Sequence, residues 1–491
     1  MLLKQLVRDG YTSFELLTSS GAALRADVKL ARLATRFRAY ESRSPKADGL
    51  PGRGDFVGSL GRGRVLSFLD AVRLSPPQVS GGPAIYYPQW VALGQRALTR
   101  EDRIAEVSFS TPDAATIFYD WRAFGTQSLT PEEADARLGG ADRTSVGRAA
   151  ELAWFSGETV VCDVETAAGR FTCHNLVSPD HGGTNGARVR SRIVLTLAFA
   201  PAVAFETAMR RMHAAHRFLE ILAGRRQRLK RISLKSEGAG TSGPDHLQLY
   251  ICGDAKDPGA RRSRAHVTSL PLTNVLDGEA FPKVMANWLA VDGARLTARS
   301  RFRNSFIQEE SFSTDRLVAA ANLFDLLPAD AGPATVEIGD DLALAVKEAR
   351  ASFRDLPPSF ERQSVLGALG RVGKPTLKHK VLHRARPLIV RGGRSLPELT
   401  YVLSEAVDAR NLYVHGSLPK RRTAALFDAH TIFLTEALEF AFACSELVEA
   451  GWNFNAWLQR ARSADHVFSR FVRFYGDALR DYKAAVAAVA A

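Results

Sequence analysis

The sequence predicts an α+β protein: a mixed, β-rich N-terminal region followed by an all-helical C-terminal region. Three observations predict it. Short apolar runs alternate with Gly, Pro, Asp and Ser clusters over roughly the first two hundred residues, which is strand-and-turn punctuation. Beyond about Leu296 the strand signals fade and segments of helical periodicity follow one another. Between those segments fall Pro328, Pro357-Pro358, Pro375, Pro387, Gly392-Gly393 and Pro419, where helix breakers belong. A chain of 491 residues exceeds one hydrophobic core, so at least two domains are expected: 1–295, with a subdivision near 200, and 296–491.

In the N-terminal region strands are expected at 65–69, 104–109, 115–119, 158–162 and 193–199. The glycine-rich stretch 51–58 lacks the Lys-Ser/Thr of a phosphate loop, so it reads as a turn or hairpin. From Pro201 to about Gly224 the pattern is helical, with Phe205, Met209, Met212, Leu219 and Leu222 near helical spacing and His216 in the same phase. Strands are expected again at 231–234 and 247–251, joined by a Gly/Ser loop at 237–243. The C-terminal region reads as helices at 315–327, 341–354, 364–369, 376–384, 397–415, 423–450 and 464–489, a bundle with no internal repeat.

The formal net charge is +13 and the sequence pI about 9.8. Such a surplus favours polyanionic partners, RNA, DNA or an anionic membrane surface, although a solvated basic surface has the same composition. Four cysteines are too few for a disulfide framework at this length. Charged residues interrupt the N-terminus where a signal peptide needs an apolar run. Glu436 and Glu439 interrupt the most apolar helix, 431–443. A soluble, cytoplasmic protein with no membrane partner is expected.

The helix 397–415 carries the chemistry. Ser395 is the expected N-cap and Pro397 suits the first turn. Leu399, Val402, Leu403, Ala406 and Val407 form one apolar stripe. Arg410 falls in line with that stripe, and Glu405 and Asp408 fall on the opposite side, toward solvent. A guanidinium on a core-facing stripe must pair with an acid, meet an anion, or face a cleft; a structural or snorkelling Arg is the plain alternative. Asn411 and His415 are four apart on one flank, and Gly416 is the expected helix stop. His415 also suits a helix C-terminus without any catalysis.

Arg410-Asn-Leu-Tyr-Val-His415 resembles the Arg-x4–6-His signature of HEPN domains, including the polar residue after the Arg. The setting is similar too: the end of a helix, then Gly and Pro, then a long closing helix. In outline the chain resembles ApeA-type anti-phage defence proteins, which join a mixed α/β region to a C-terminal HEPN ribonuclease. The resemblance implies Arg410, Asn411 and His415 as catalytic residues and a homodimer whose motif helices line one cleft. It implies metal-independent cleavage of cellular RNA, tRNA among the targets, to 2′,3′-cyclic phosphate and 5′-hydroxyl ends. No metal or cofactor is implied, and the N-terminal region is expected to sense a phage-derived trigger or restrain the nuclease.

The bare spacing recurs at Arg211/His216, Arg261/His266 and Arg460/His466, so context singles out Arg410. The residue types suit the chemistry. RNA supplies its own 2′-OH nucleophile; His transfers protons near neutral pH, and Arg presents a permanently charged fork to phosphate. On an ideal helix Arg410 and His415 point about 140° apart, so a site shared across a dimer or a distorted last turn is expected.

Between Arg362 and Pro397 there are nine Lys and Arg and no Asp or Glu, and Lys420-Arg421-Arg422 follow the motif. From this basic block Arg384, Arg386, Lys420, Arg421 and Arg422 are expected to bind RNA; an ordinary solvated face is the alternative. Cys162, Cys173, His174 and His181 match no standard zinc spacing. His430 and Phe433, Phe440 and Phe442 read as core. A non-catalytic RNA- or partner-binding bundle is the rival reading; a DNA-binding regulator lacks any groove-reading motif.

Overall fold

The computed structural model describes residues 10–18, 23–31, 34–40, 50–74, 83–118, 123–138, 150–181, 187–237, 246–253, 264–417, 419, 421–460 and 462–490. The chain divides into two compact units. One comprises Met1–Val267 and Leu272–Ala290, the other Thr268–Pro271 and Val291–Ala491.

The first unit is built on strands β1 (Thr12–Leu17), β2 (Ala23–Lys29), β3 (Arg36–Ala39), β4 (Arg53–Gly61), β5 (Arg64–Arg73), β6 (Ala84–Tyr87), β7 (Trp90–Gly94) and β8 (Arg103–Ser110). It continues with β9 (Phe124–Leu129), β10 (Ala150–Phe155), β11 (Val160–Thr166), β12 (Gly169–His181), β13 (Ala187–Ala204), β14 (Lys230–Ser236) and β15 (His246–Ile251). Its helices are α1 (Ala114–Phe118), α2 (Pro131–Leu138), α3 (Phe205–Ala223) and α4 (Ala280–Ala290). Thirteen strands form one sheet in the order β11-β12-β13-β8-β14-β15-β7-β5-β4-β1-β2-β3-β6, and β9 and β10 form a separate pair.

A second pairing of β6, with β5, closes β1 to β6 into a barrel. Alternation fills it: Phe14 and Leu16 of β1 and Phe37 and Ala39 of β3 point inward. Phe37 stacks on Tyr86 at 4.9 Å between ring centroids and lies 4.5 Å from Phe68. The barrel needs β5 to serve two neighbours. Residues Val65 to Leu69 pair with β7, while Val72 and Arg73 pair with β6. The change of partner falls at Asp70, whose φ is 49°. Its N–H donates to Asp55 Oδ1 at 2.8 Å, and Arg53 Nε donates to its carboxylate at 2.7 Å. At the far margin β11 pairs with β12 alone, and Asp163 on it accepts two hydrogen bonds from Arg170 at 2.9 and 2.6 Å.

Three expectations for this unit are corrected. The glycine-rich stretch 51–58, expected as a turn or hairpin, is not the turn but leads into β4, the first arm of the β4–β5 hairpin; a Cβ on Gly58 would collide with the Phe14 ring, which explains that glycine. The apolar run at 115–119 is one helical turn, α1, because buried Asp113 anchors its start by accepting from Arg225 and Gln227 while Ile117 and Phe118 dock inward. The helix expected from Pro201 begins at Phe205, since Val203 and Ala204 still pair with Ile104 and Arg103 of β8. The loop 237–243 lies almost wholly outside the described residues.

The second unit holds α5 (Asp292–Gln308), α6 (Thr314–Asn322), α7 (Asp340–Asp355), α8 (Phe360–Leu369), α9 (Leu377–Gly392), α10 (Leu399–His415), α11 (Ala424–Ala429), α12 (Thr431–Glu449), α13 (Phe454–Gln459) and α14 (Val467–Ala490). Helix α12 is the centre, buried from Phe433 to Leu447 on nearly every face and packed against α6, α9, α10 and α14. Helices α7 and α8 bury no residue and pack on each other, with Arg362 donating to the carbonyls of Phe353 and Arg354 at 2.7 and 2.6 Å.

Helix ends differ from the sequence expectation for physical reasons. Helix α9 runs through Pro387 to Gly392 instead of stopping near 384, because the carbonyl that loses its donor belongs to exposed His383, which water can satisfy. The motif helix starts at Leu399, after Glu398 in a left-handed conformation (φ 55°), rather than at a Ser395 cap. The segment 423–450 is two helices. Thr423 caps the first by accepting from Leu426 N–H at 3.2 Å, and the helix turns at His430, whose ring meets Tyr482 edge-on at 5.1 Å.

Candidate functional site

The apolar stripe of α10 does what its spacing requires: Leu399, Val402, Leu403, Ala406 and Val407 are all buried. That packing fixes the rotation of the helix and brings Arg410 to the edge of the core, half-buried. Gly416 ends α10 in the left-handed conformation (φ 68°), its N–H donating to Leu412 O at 2.8 Å. His415, on the last turn, is exposed.

Arg410 is the hub of the site. Its Nη1 lies 3.0 Å from His415 Nε2 and donates to Asn411 Oδ1 at 3.2 Å. Its Nε and Nη2 donate to Asn322 Oδ1 at 3.2 and 3.0 Å. The three motif side chains therefore meet within one chain. Within the one chain, the reach of the arginine bridges the angular gap expected between Arg410 and His415. Sequence reasoning misses Asn322. It sits at the end of α6, 88 residues upstream of Arg410, with no local signal to mark it.

Among the described residues no carboxylate pairs with Arg410, so its charge is held by amide oxygens and stays unneutralised. An arginine only donates, so in this contact His415 Nε2 is the accepting atom. The guanidinium and the imidazole thus lie side by side at a solvent-facing helix end. Tyr413 is fastened away from them, donating to Asp428 at 2.6 Å.

At two other occurrences of the spacing the histidine is buried and meets a different partner. His216 is buried, with Nε2 2.8 Å from Gln227 O, while Arg211 lies over the Phe199 ring. His466 is buried, and its Nδ1 accepts from Phe468 N–H at 3.2 Å. Arg261 lies outside the described residues.

The basic residues divide. Arg384, expected to bind RNA, is buried instead. It donates to Glu446 Oε1 at 2.8 Å and to Glu449, inside a network that Arg295 and Arg299 complete around the fully buried Glu446. Desolvation and charge explain the correction: Arg295, Arg299 and Arg384 are paired with three carboxylates, Glu446, Glu449 and Asp292, which leaves Arg384 committed to acids rather than to phosphate. Arg422 is likewise committed. It grips Glu405 through Nε and Nη2 at 2.7 and 2.8 Å, and Glu405 also accepts from Tyr482 at 2.6 Å. Glu405 is thus buried rather than solvent-facing; burial pushes its pKa up, but Arg422 and Tyr482 outweigh that and lower it. Asp408 pairs with Lys378 at 3.0 Å. Arg386 and Arg421 are exposed and available to an anion. Lys420 lies outside the described residues.

No group of three metal-ligating side chains occurs among the described residues. Cys162 and Cys173 face each other across β11 and β12, and burial pushes the Cys162 thiol up to about 12. The side chain of His181 is outside the described set. Among the described residues, no helix is long and apolar enough to cross a membrane.

No curated protein and no solved structure matches the chain. The family model for the ApeA N-terminal domain 1 matches residues 31–288. That match spans more than half of the sequence and runs from β3 through the rest of the barrel and the long sheet, and on it the chain belongs to the ApeA family.

Proposed function

We propose that the protein is an anti-phage defence ribonuclease, with a HEPN-type active site at the end of α10 and Arg410, Asn411, His415 and Asn322 as its working parts. Membership of the ApeA family supports the defence role. The contact of Arg410 Nη1 with His415 Nε2, 3.0 Å at an exposed helix end, is the single observation that carries the catalytic reading.

In this reading Asn322 and Asn411 position the guanidinium, and the scissile phosphate draws it off the imidazole. Guanidinium–phosphate bonds are charge-assisted and stronger than the Arg–His contact they replace. His415 Nε2 is then free to take the 2′-OH proton. The 2′-oxygen attacks phosphorus, the P–O5′ bond breaks, and a second proton acid, His415 of another copy, delivers a proton to the 5′-oxygen. The products are a 2′,3′-cyclic phosphate and a 5′-hydroxyl, and no metal is required. Exposed Arg386 and Arg421 would hold the flanking backbone. The N-terminal unit would restrain the nuclease until infection.

The test is incubation of the purified full chain with total RNA in EDTA. Cutting by the wild type and not by His415→Ala is expected; equal RNA binding with no cutting by either protein, in extracts of infected as well as uninfected cells, would favour a binding module.

A further inference from the structure

A second basic site lies at the other end of α10. A cavity of about 660 Å³ opens between the turn that precedes this helix, the end of α13 and the face of α14. Five of its ten lining residues are arginines, Arg394, Arg460, Arg462, Arg473 and Arg480, and none is acidic. Pro397 also lines it. Pro397 precedes Arg410 by thirteen positions, about 20 Å along a helix, so this cavity is not the motif site.

Its walls are fixed. Tyr475 of α14 donates to Pro397 O at 2.8 Å and ties the two sides together. Arg462 lies flat over the buried ring of Trp457, 4.4 Å from its centroid, and donates to Trp457 O at 2.7 Å. Arg473 and Arg480 are seven apart on α14, two turns on one face. Arg480 pairs with Asp477, outside the lining, while no carboxylate among the described residues pairs with Arg394 or Arg473.

Gathering Arg394 and Arg473, which have no carboxylate partner among the described residues, beside further guanidinium groups leaves net positive charge in the concavity, which an anion would offset. Guanidinium forks match phosphate oxygens in geometry, and their spread over three chain segments suits a ligand with more than one phosphate. We propose that this cavity binds the phosphate groups of a polyphosphorylated ligand. The site stands whether or not the protein cuts RNA.

The experiment titrates the full chain with inorganic tripolyphosphate in a calorimeter at fixed ionic strength. Binding at one site per chain is expected, weakened about a hundredfold in the double variant Arg473→Ala/Arg480→Ala, about tenfold for each guanidinium removed. The Arg473→Lys/Arg480→Lys pair should regain part of that loss, and Lys347→Ala, on the exposed face of α7, should bind as the wild type does. Single-stranded RNA that displaces tripolyphosphate identifies a nucleic-acid backbone as the source; nucleoside triphosphate that displaces it where RNA does not identifies a free nucleotide. Absence of binding by the wild type, or equal affinity in the folded double Ala variant, overturns the assignment.

Discussion

Removing the Asn322 amide tests the site where sequence is silent. Asn322 Oδ1 accepts from both Nε and Nη2 of Arg410, at 3.2 and 3.0 Å. Hydrogen bonds to a charged group contribute about 1.5–3 kcal/mol each, and the two bonds share one half-buried oxygen, so their joint loss in Asn322→Ala is about 2 kcal/mol. If that orientation is needed when the phosphate is engaged, turnover falls about thirtyfold at a nearly unchanged KM. Asn322→Asp separates orientation from charge. The new carboxylate would hold Arg410 in an ion pair, raising or preserving the melting temperature while activity drops. The assay is cleavage of a fluorescent RNA in EDTA, with kcat and KM resolved, beside thermal melts of each variant. Wild-type turnover in Asn322→Ala, alongside an inactive His415→Ala, would show that Arg410 needs no support from α6 and refute the reasoning.

Four further outcomes are expected. His415→Ala should lose cutting while its RNA affinity, measured by anisotropy, stays within a few-fold of wild type, because an exposed imidazole contributes little to backbone binding. Arg384→Ala should destabilise the helical unit by roughly 3 kcal/mol in urea denaturation, since it strips a partner from buried Glu446, and should leave the salt dependence of RNA binding unchanged. Arg421→Ala should do the reverse, lowering the slope of log affinity against log salt by about one with little change in stability. For Glu449, burial pushes the carboxyl up, but Arg295 and Arg384 overcome it and hold the pKa at about 2, below the ordinary 4.5. A depressed folded-state pKa gives stability that is complete above 4.5 and lost as pH falls toward 2; the urea midpoint should decline across that window, and Glu449→Gln should flatten the decline.

Much of the fold is legible from residue order, in ways that follow the physics. The stripe from Leu399 to Val407 places Arg410 at the core edge because helical phase is a short-range property. Strand runs such as 104–109 and 193–199 lie within β8 and β13 for the same reason. Partnership is what the linear pattern hides. Phase alone assigns Glu405 to solvent, yet Arg422 and Tyr482, 17 and 77 residues away, pull it inward. Arg384 reads as a phosphate ligand because the sequence around it is basic, while its acids sit 62 and 65 residues downstream on α12. Asn322 carries no charge and no motif, so only the fold could pair it with Arg410. The barrel is equally hidden, since closure depends on one strand changing neighbours at Asp70.

The rolled end of the long sheet has a consequence at the opposite end. A strip that has curled into a ring on one side keeps an edge strand as its rim on the other, here β11 among the described residues, partly covered by Asn274, whose Nδ2 donates to Val161 O at 2.9 Å, and by α4 packed against it. Unpaired amides on such a rim invite a strand from a neighbouring molecule, the first step toward aggregates. That rim carries Asp163 and Glu165 and a register break between Val160 and Cys162. Two copies meeting there would bring carboxylates together on an irregular backbone, so a charged and crooked border keeps neighbouring molecules from zipping onto the sheet.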